Sequence, residues 1–219
     1  MADLERLRQM MVKRQIAGRG IGGARLLAAM REVPRERFVP EELRALAYDD
    51  RPLPVEAGQT ISQPYIVARM IEAAAIGPAG RVLEIGVGSG YAAAVMSRVA
   101  AHVFAIDRVG ELAALARGRM EQLGYDNVAI RTGDGTEGWP EQAPFDAILV
   151  AAGGPAVPQP LREQLAIGGR LVMPVGSASE QQLVRVIRTG EDGFDLQKLE
   201  AVRFVPLIGA HGWRQDQAQ

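Results

Sequence analysis

The stretch RVLEIGVGSGY at residues 81–91 constrains this chain more than any other. Val82, Leu83 and Ile85 form an apolar, β-prone run broken only by Glu84, which is how a strand inside a parallel sheet reads. Glycines at 86, 88 and 90 follow in a GxGxG spacing, a turn in which backbone lacking Cβ atoms can approach a ligand closely. The next segment, YAAAVMSRVA, carries good helix formers. A helix N-terminus facing such a turn offers unpaired N–H groups and a partial positive charge, which suits a nucleotide or a carboxylate. Strand, turn and helix together predict a ligand cradle.

The rhythm repeats downstream. HVFAID reads as a strand, residues 109–123 as a helix, NVAIRTGDG as a strand and its turn, and FDAILVAAGG as another strand. A proline-started helix at residues 159–165 and the strand GGRLVMPVG complete five parallel strands. Residues 182–188 and 196–206 are joined only by a short TGEDG-type turn, so they are expected as an antiparallel hairpin at the sheet edge. The expected fold is α/β: a doubly wound, mostly parallel sheet of about seven strands with a C-terminal antiparallel hairpin and an N-terminal helical cap.

That cap is read at residues 1–47. Leu4, Leu7, Met11 and Ile16 recur at helical spacing and predict an amphipathic helix over residues 3–17, ended by Gly18, Gly20, Gly22 and Gly23. A second helix is expected at residues 24–31, then an irregular connection between Pro34 and Pro40. Residues 48–76 change character: prolines at 52, 54 and 64 favour extended and turn conformations, and Pro64 starts a helix. Thr60, Ser62 and Gln63 stand just ahead of its first turn. With a Rossmann-like core at 80–219, the whole chain of 219 residues reads as a single domain, and its last residues, GWRQDQAQ, are expected to fray.

Composition narrows the function classes. Lys and Arg number 25 against 26 Asp and Glu, so bulk charge recommends neither nucleic acid nor an anionic membrane as partner. With no cysteine, disulfides, thiolate metal sites and a thiol nucleophile are excluded, in keeping with a reducing cytoplasm. No export signal or spanning segment is read from the sequence. His102 and His211 have no metal-ligand partner at a recognisable spacing.

Three signals fall at strand ends, where open parallel sheets bind ligands. They are the glycine turn; Asp107, which ends the next strand and can accept from both ribose hydroxyls; and Asp134 with Gly135. Either aspartate could equally be a turn cap, and Glu84 could contact a ligand amine or the loop's own amides. The spacing is not the GxGxxG of dinucleotide enzymes, and no GxxxxGK[ST] phosphate loop occurs. The ligand class that remains is a nucleoside without a pyrophosphate.

EIGVGSG with Asp107 resembles the first two motifs of the Rossmann-like S-adenosylmethionine-dependent methyltransferases. DRPLP, GQTISQPY, the glycine turn with Tyr91, GWPE, APFDAI, GGRLVMPVG and VRFVPLIG run in the order seen in protein-L-isoaspartate O-methyltransferases, a likeness covering residues 5–209. The resemblance implies S-adenosyl-L-methionine as cofactor, with Glu84, Gly86, Gly88, Ser89 and Gly90 at its amino-acid portion, Asp107 at its ribose, and Asp134 with Gly135 at its adenine. It implies methyl transfer to the free α-carboxylate of L-isoaspartyl residues in damaged proteins and peptides. Ser62 is then the catalytic residue through orientation, with Thr60 and Gln63 shaping the same substrate loop. Val87, Asp107, Thr136 and Ile208 depart from the usual pattern, where Thr, Glu, Tyr and Thr are common. Two other readings use the same cradle: a methyltransferase of a small molecule or RNA, and a cofactor-binding module without catalysis.

Overall fold

The computed structural model describes residues 3–177 and 179–217. The cap begins with α1 (Leu4–Met11), whose N-terminus is closed by the Asp3 carboxylate accepting from the Arg6 amide at 3.1 Å. The single helix expected over residues 3–17 is interrupted: Val12–Ile16 is a π-helical turn, followed by a 3-10 turn at Ala17–Arg19. Met11, Val12 and Ile16 all enter the core along this segment, as an apolar stripe of ordinary helical spacing would, and the π-helical turn does not displace them from it. Helix α2 (Ala24–Glu32) follows, and then 3-10 turns at Arg35–Arg37 and Glu41–Leu46.

The proline-rich segment forms a small antiparallel ribbon, β1 (Leu53–Pro54) with β2 (Thr60–Ile61), which leads into α3 (Pro64–Ala74). Pro64 at the first helical position needs no hydrogen-bond acceptor for an N–H, and its ring fixes the helical φ.

The sheet contains β3 (Arg81–Ile85), β4 (His102–Asp107), β5 (Val128–Thr132), β6 (Phe145–Val150), β7 (Leu165–Gly176), β8 (Gln181–Arg188) and β9 (Phe194–Val202), in the order β5-β4-β3-β6-β7-β8-β9. The strands from β5 to β7 pair in parallel, and β7, β8 and β9 pair antiparallel, as expected from the sequence. Helices α4 (Tyr91–Ser97) and α5 (Gly110–Leu123) connect β3, β4 and β5, and a short α6 (Gln159–Glu163) precedes β7. Alternation along the strands divides the core. Val82, Val103, Ala105, Ala147 and Leu149 pack on the side of α3, α4 and the cap, while Leu83, Ile85, Phe104, Ile106, Ile148 and Val150 pack on the other.

Strand order reverses between β3 and β6, so the glycine turn after β3 opens at the switch point where such sheets bind ligands. Two expectations need correction. The hairpin strand expected to run to residue 206 leaves the sheet after Val202, because Gln181 takes both backbone groups of Phe204, and Gly153 donates to the Val205 carbonyl and accepts from the Leu207 amide. The tail is anchored as far as Trp213, whose amide donates to Leu207 O at 2.7 Å and whose indole donates to Gly153 O at 3.0 Å. The last two residues of that expectation, 218 and 219, lie outside the described residues. Among the described residues, no helix is long and apolar enough to cross a membrane.

Candidate active site

The cradle is built mainly from backbone. The Gly86 and Val87 amides both point at Ile106 O, at 2.8 and 3.3 Å, tying the turn to the end of β4. Asp107 closes it: one carboxylate oxygen accepts from the Gly88 amide at 2.8 Å and the other from the Val109 amide at 3.0 Å. The loop-capping and ligand-binding readings of Asp107 therefore coexist, since each oxygen keeps a lone pair and the residue lines the cavity.

The three glycines have different surroundings. Gly86 and Gly88 adopt left-handed φ values of 85° and 50° and line the cavity, and a Cβ on Gly88 would meet nothing within 4 Å. Gly90 instead faces α5, where a Cβ would lie 2.9 Å from Met120 Cε and 3.4 Å from Ala116 Cβ. Its own φ is also left-handed, at 90°, so backbone conformation and helix–turn packing both favour glycine there. Ser89 is buried in the cavity wall; its Oγ accepts from the Tyr91 amide at 3.4 Å, and its carbonyl accepts from Arg119.

Glu84 points to the same sheet face as Asp107, because it sits in register with Ala105, two residues before that aspartate. It is almost fully buried, lines the cavity, and its Oε2 has no hydrogen-bond partner in the structure. Burial first, and the nearby Asp107 charge second, push its carboxyl well above the usual carboxylate range. A cation entering the cavity would reverse that balance.

Asp134 caps the 3-10 turn Gly135–Glu137. Its Oδ1 accepts from the Thr136 amide at 2.8 Å and the Thr136 hydroxyl at 2.7 Å, and its Oδ2 from the Ala210 amide at 2.7 Å. These bonds lower its pKa against the opposing effect of burial, the largest influence on the group. Thr136 also accepts from the His211 amide, so the hydroxyl at this unusual position ties the C-terminal segment to the cradle. Gly135 lines the cavity and Asp134 stands behind it; a Cβ on Gly135 would lie 2.3 Å from Ile85 Cγ2.

Two cavities meet beside this cradle. The first, about 240 Å³, is lined by the turn, Glu84, Asp107, Leu112, Gly135 and Ile208. The second, about 850 Å³ and open to solvent, is lined by Gln63, Ile66, Gln181, Arg203, Phe204 and Trp213. Thr60, Ser62, Ala151, Val205 and Pro206 line both and form the wall where they join. The structure thus brings Thr60 and Ser62 to the cradle's rim and places Gln63 in the second cavity, where its amide donates to Asp50 O at 3.1 Å. The Ser62 hydroxyl makes no hydrogen bond to any described residue, so it is free to donate to a guest.

Several residues of this region carry no signal in the sequence. Gln181, one residue ahead of the strand expected at 182–188, opens β8 and holds Phe204 at both backbone groups, at 2.8 and 3.1 Å. Trp213, in the tail expected to fray, lines the second cavity. Arg35, in the irregular connection of the cap, is fully buried and reaches the Ser62 carbonyl at 2.8 Å. These contacts span 23 to 27 residues and leave no local pattern to read. Among the described residues, no cluster of His, Asp or Glu could hold a metal ion.

A parallel sheet with a GxGxG turn at its switch point, an aspartate ending the next strand and a buried glutamate at the turn defines a Rossmann-like domain of the nucleoside-cofactor type. The family described as protein-L-isoaspartate(D-aspartate) O-methyltransferase matches residues 6–212, and the chain belongs to that family. It is 59% identical over 207 residues to protein-L-isoaspartate O-methyltransferase 2 of Pelobacter propionicus, covering 94% of this chain and 92% of that one. It is 57% identical over 206 residues to the protein-L-isoaspartate O-methyltransferase of Rhodopseudomonas palustris, covering 94% of each. A solved protein-L-isoaspartate O-methyltransferase superposes with a TM-score of 0.82 at 30% identity, over 95% of this chain and 67% of the other. A Plasmodium falciparum structure, provisionally described as the same enzyme in complex with S-adenosyl-L-homocysteine, gives a TM-score of 0.78 at 25% identity over 92% and 98%.

Proposed function

We propose that this protein transfers a methyl group from S-adenosyl-L-methionine to the free α-carboxylate of L-isoaspartyl residues in damaged proteins and peptides. The observation that carries the reading is the unpaired Ser62 hydroxyl on the wall shared by the cradle's cavity and its larger neighbour. Family membership fixes the chemistry to be sought there.

The residues present suit the cofactor. The orphaned Glu84 Oε2 is matched to an ammonium group, the Gly86 and Gly88 backbone leaves room for a ligand, and Asp107 keeps acceptor capacity for ribose hydroxyls. Ser89 and Gly90 complete the turn at the cofactor's amino-acid end. Val87, Ile106, Leu112 and Ile208 supply apolar surface for a flat base, with Gly135 in the lining and Asp134 next to it in the chain. When bound, the sulfonium supplies an electrophilic methyl group.

The chain's own work is to bring a nucleophile to that methyl group. A carboxylate is already ionised at neutral pH, so no residue has to remove a proton. With the donor bound, the carboxylate oxygen would form the new O–C bond as the S–C bond breaks, so that a methyl ester and a neutral thioether would leave the site. Ser62, donating to the substrate carboxylate, fixes its direction of approach; Thr60 and Gln63 shape the loop that carries it. Val205 and Pro206 stand on the same wall as Ser62, where the two cavities join, and supply apolar surface beside the nucleophile.

The substrates in this reading are proteins and peptides, with neither nucleic acid nor membrane as partner, and the location is the cytoplasm. Balanced charge and the lack of cysteine support this. The test is transfer of labelled methyl to an isoaspartyl peptide beside its normal aspartyl twin. Selective labelling of the isoaspartyl form is expected; equal labelling of both sinks the assignment. Binding of S-adenosyl-L-homocysteine without any labelling would favour a non-catalytic module.

A further inference from the structure

Arg35 is fully buried, and its hydrogen bonds go to two backbone carbonyls, Nε to Ala47 O at 2.7 Å and one terminal nitrogen to Ser62 O at 2.8 Å. The other terminal nitrogen has no partner. The guanidinium carbon lies 4.8 Å from the centroid of Tyr91, the residue that opens α4 directly after the glycine turn. No carboxylate forms an ion pair with it among the described residues. Burial accordingly lowers its pKa to about 10, with Tyr91 and Tyr48 acting in the opposite direction, and it remains a cation at neutral pH.

A buried cation without a counter-ion is a poor way to fill space. An apolar side chain of similar length would pack the same volume without the desolvation cost. What the guanidinium provides is a donor where the backbone has none. The first carbonyl that α3 uses at its N-terminus is that of Gln63, which accepts from the Val67 amide at 3.2 Å. Ser62 O stands one residue earlier, outside the helical ladder, and Pro64 offers no N–H nearby. Arg35 supplies the missing bond from the opposite side of the chain, and the same group rests on the aromatic ring at the end of the cradle.

We propose that Arg35 is a positioning residue for methyl transfer: its guanidinium fixes the Ser62 backbone relative to the glycine turn and so aims the Ser62 hydroxyl into the junction of the two cavities. The inference rests on the reading of Ser62 given above. It links the cap to the reaction, because the arm that sets the serine comes from residues 35–37 and not from the loop itself.

Two variants test it. Arg35→Lys keeps the charge and one donor; Arg35→Met fills comparable volume with neither. Both are assayed for kcat and KM on an isoaspartyl peptide, for S-adenosyl-L-homocysteine affinity and for Tm. The expected order of kcat is wild type, then Lys, then Met, with the Met variant down by about tenfold or more. Cofactor affinity is expected to stay within about threefold, and Tm not to follow the order of kcat. In a Ser62→Ala background, Arg35→Met should add almost no further loss, since both changes remove one interaction. A folded Met variant with wild-type kcat overturns the proposal, and so do losses that multiply in the double variant. If neither single variant folds, Arg35 belongs to the core alone and the proposal fails. Unchanged turnover in Ser62→Ala by itself would instead defeat the reading of Ser62, whatever Arg35 does.

Discussion

The cradle and the wall that faces it are made by different means. In the cradle, nearly every bond is local to the strand ends: amides of residues 86–88 meet Ile106 O and Asp107, and left-handed glycines shape the turn. Across the cavity, Ser62 and residues 204–207 lie in irregular backbone whose hydrogen bonds are supplied from elsewhere, by Arg35, Gln181 and Gly153. A sheet terminus comes with fixed amide directions, whereas an irregular strap has to be given partners one by one. The comparison implies that cofactor binding and substrate alignment can be damaged separately.

The largest separation should appear at Ser62. Ser62→Ala is expected to lower kcat by about 10²-fold while S-adenosyl-L-homocysteine affinity hardly changes, because the hydroxyl serves the substrate side of the wall. Steady-state kinetics beside calorimetric titration would measure it, and a parallel loss of affinity would erase the distinction between the two regions.

Gln181→Leu tests the strap. It leaves the part-buried Phe204 N–H and C=O without their partner; a fully buried unpaired group costs about 1–3 kcal/mol, and partial exposure makes the loss here smaller. Lower stability in denaturant titration and a raised peptide KM are expected, with a smaller change in cofactor affinity. A larger effect on the cofactor than on the peptide would show that the strap belongs to the cradle after all.

Glu84→Gln sharpens the cradle's side and is expected to have the smallest effect on the peptide's alignment, its signature lying in pH dependence and cofactor binding. The Glu84 carboxyl is raised above its ordinary value of 4.5 in the folded protein. Between those two values the native state holds a proton that the unfolded chain has lost, so the ligand-free protein should lose stability as pH rises above about 4.5, by about 1.4 kcal/mol per pH unit until the folded pKa is passed. Glutamine removes that slope. The variant should therefore be the more stable of the two at pH 8 without ligand, and the weaker binder of an ammonium-bearing cofactor. Parallel curves of Tm against pH for the two proteins would remove Glu84 from this role.

Much of the cradle could be read directly. Residues 82–85 announce a buried strand, Gly86 and Gly88 a turn, and Asp107 the end of the neighbouring strand, since all are local consequences of side-chain type. Gly90 was legible as a turn glycine, in line with its φ of 90°, while the approach of Met120 and Ala116 from α5 adds a packing reason that only the fold reveals. Asp134 reads equally as a ligand or a cap, and three bonds to Thr136 and Ala210 tie it to its own turn and to the C-terminal segment. The two-residue ribbon at Leu53–Pro54 and Thr60–Ile61 is too short and too rich in proline to leave a strand pattern.

By itself, the sequence determined the alternation of strands and helices, the place of the turn and the order of the motifs, because periodicity and glycine spacing express short-range sterics. The tertiary structure alone decided which distant donors complete the substrate wall. Arg35 to Ser62, Gln181 to Phe204 and Trp213 to Gly153 are separated by 27, 23 and 60 residues. The physical reason is that a backbone group outside regular structure still needs a partner, and only the packed chain determines which residue is close enough to provide it.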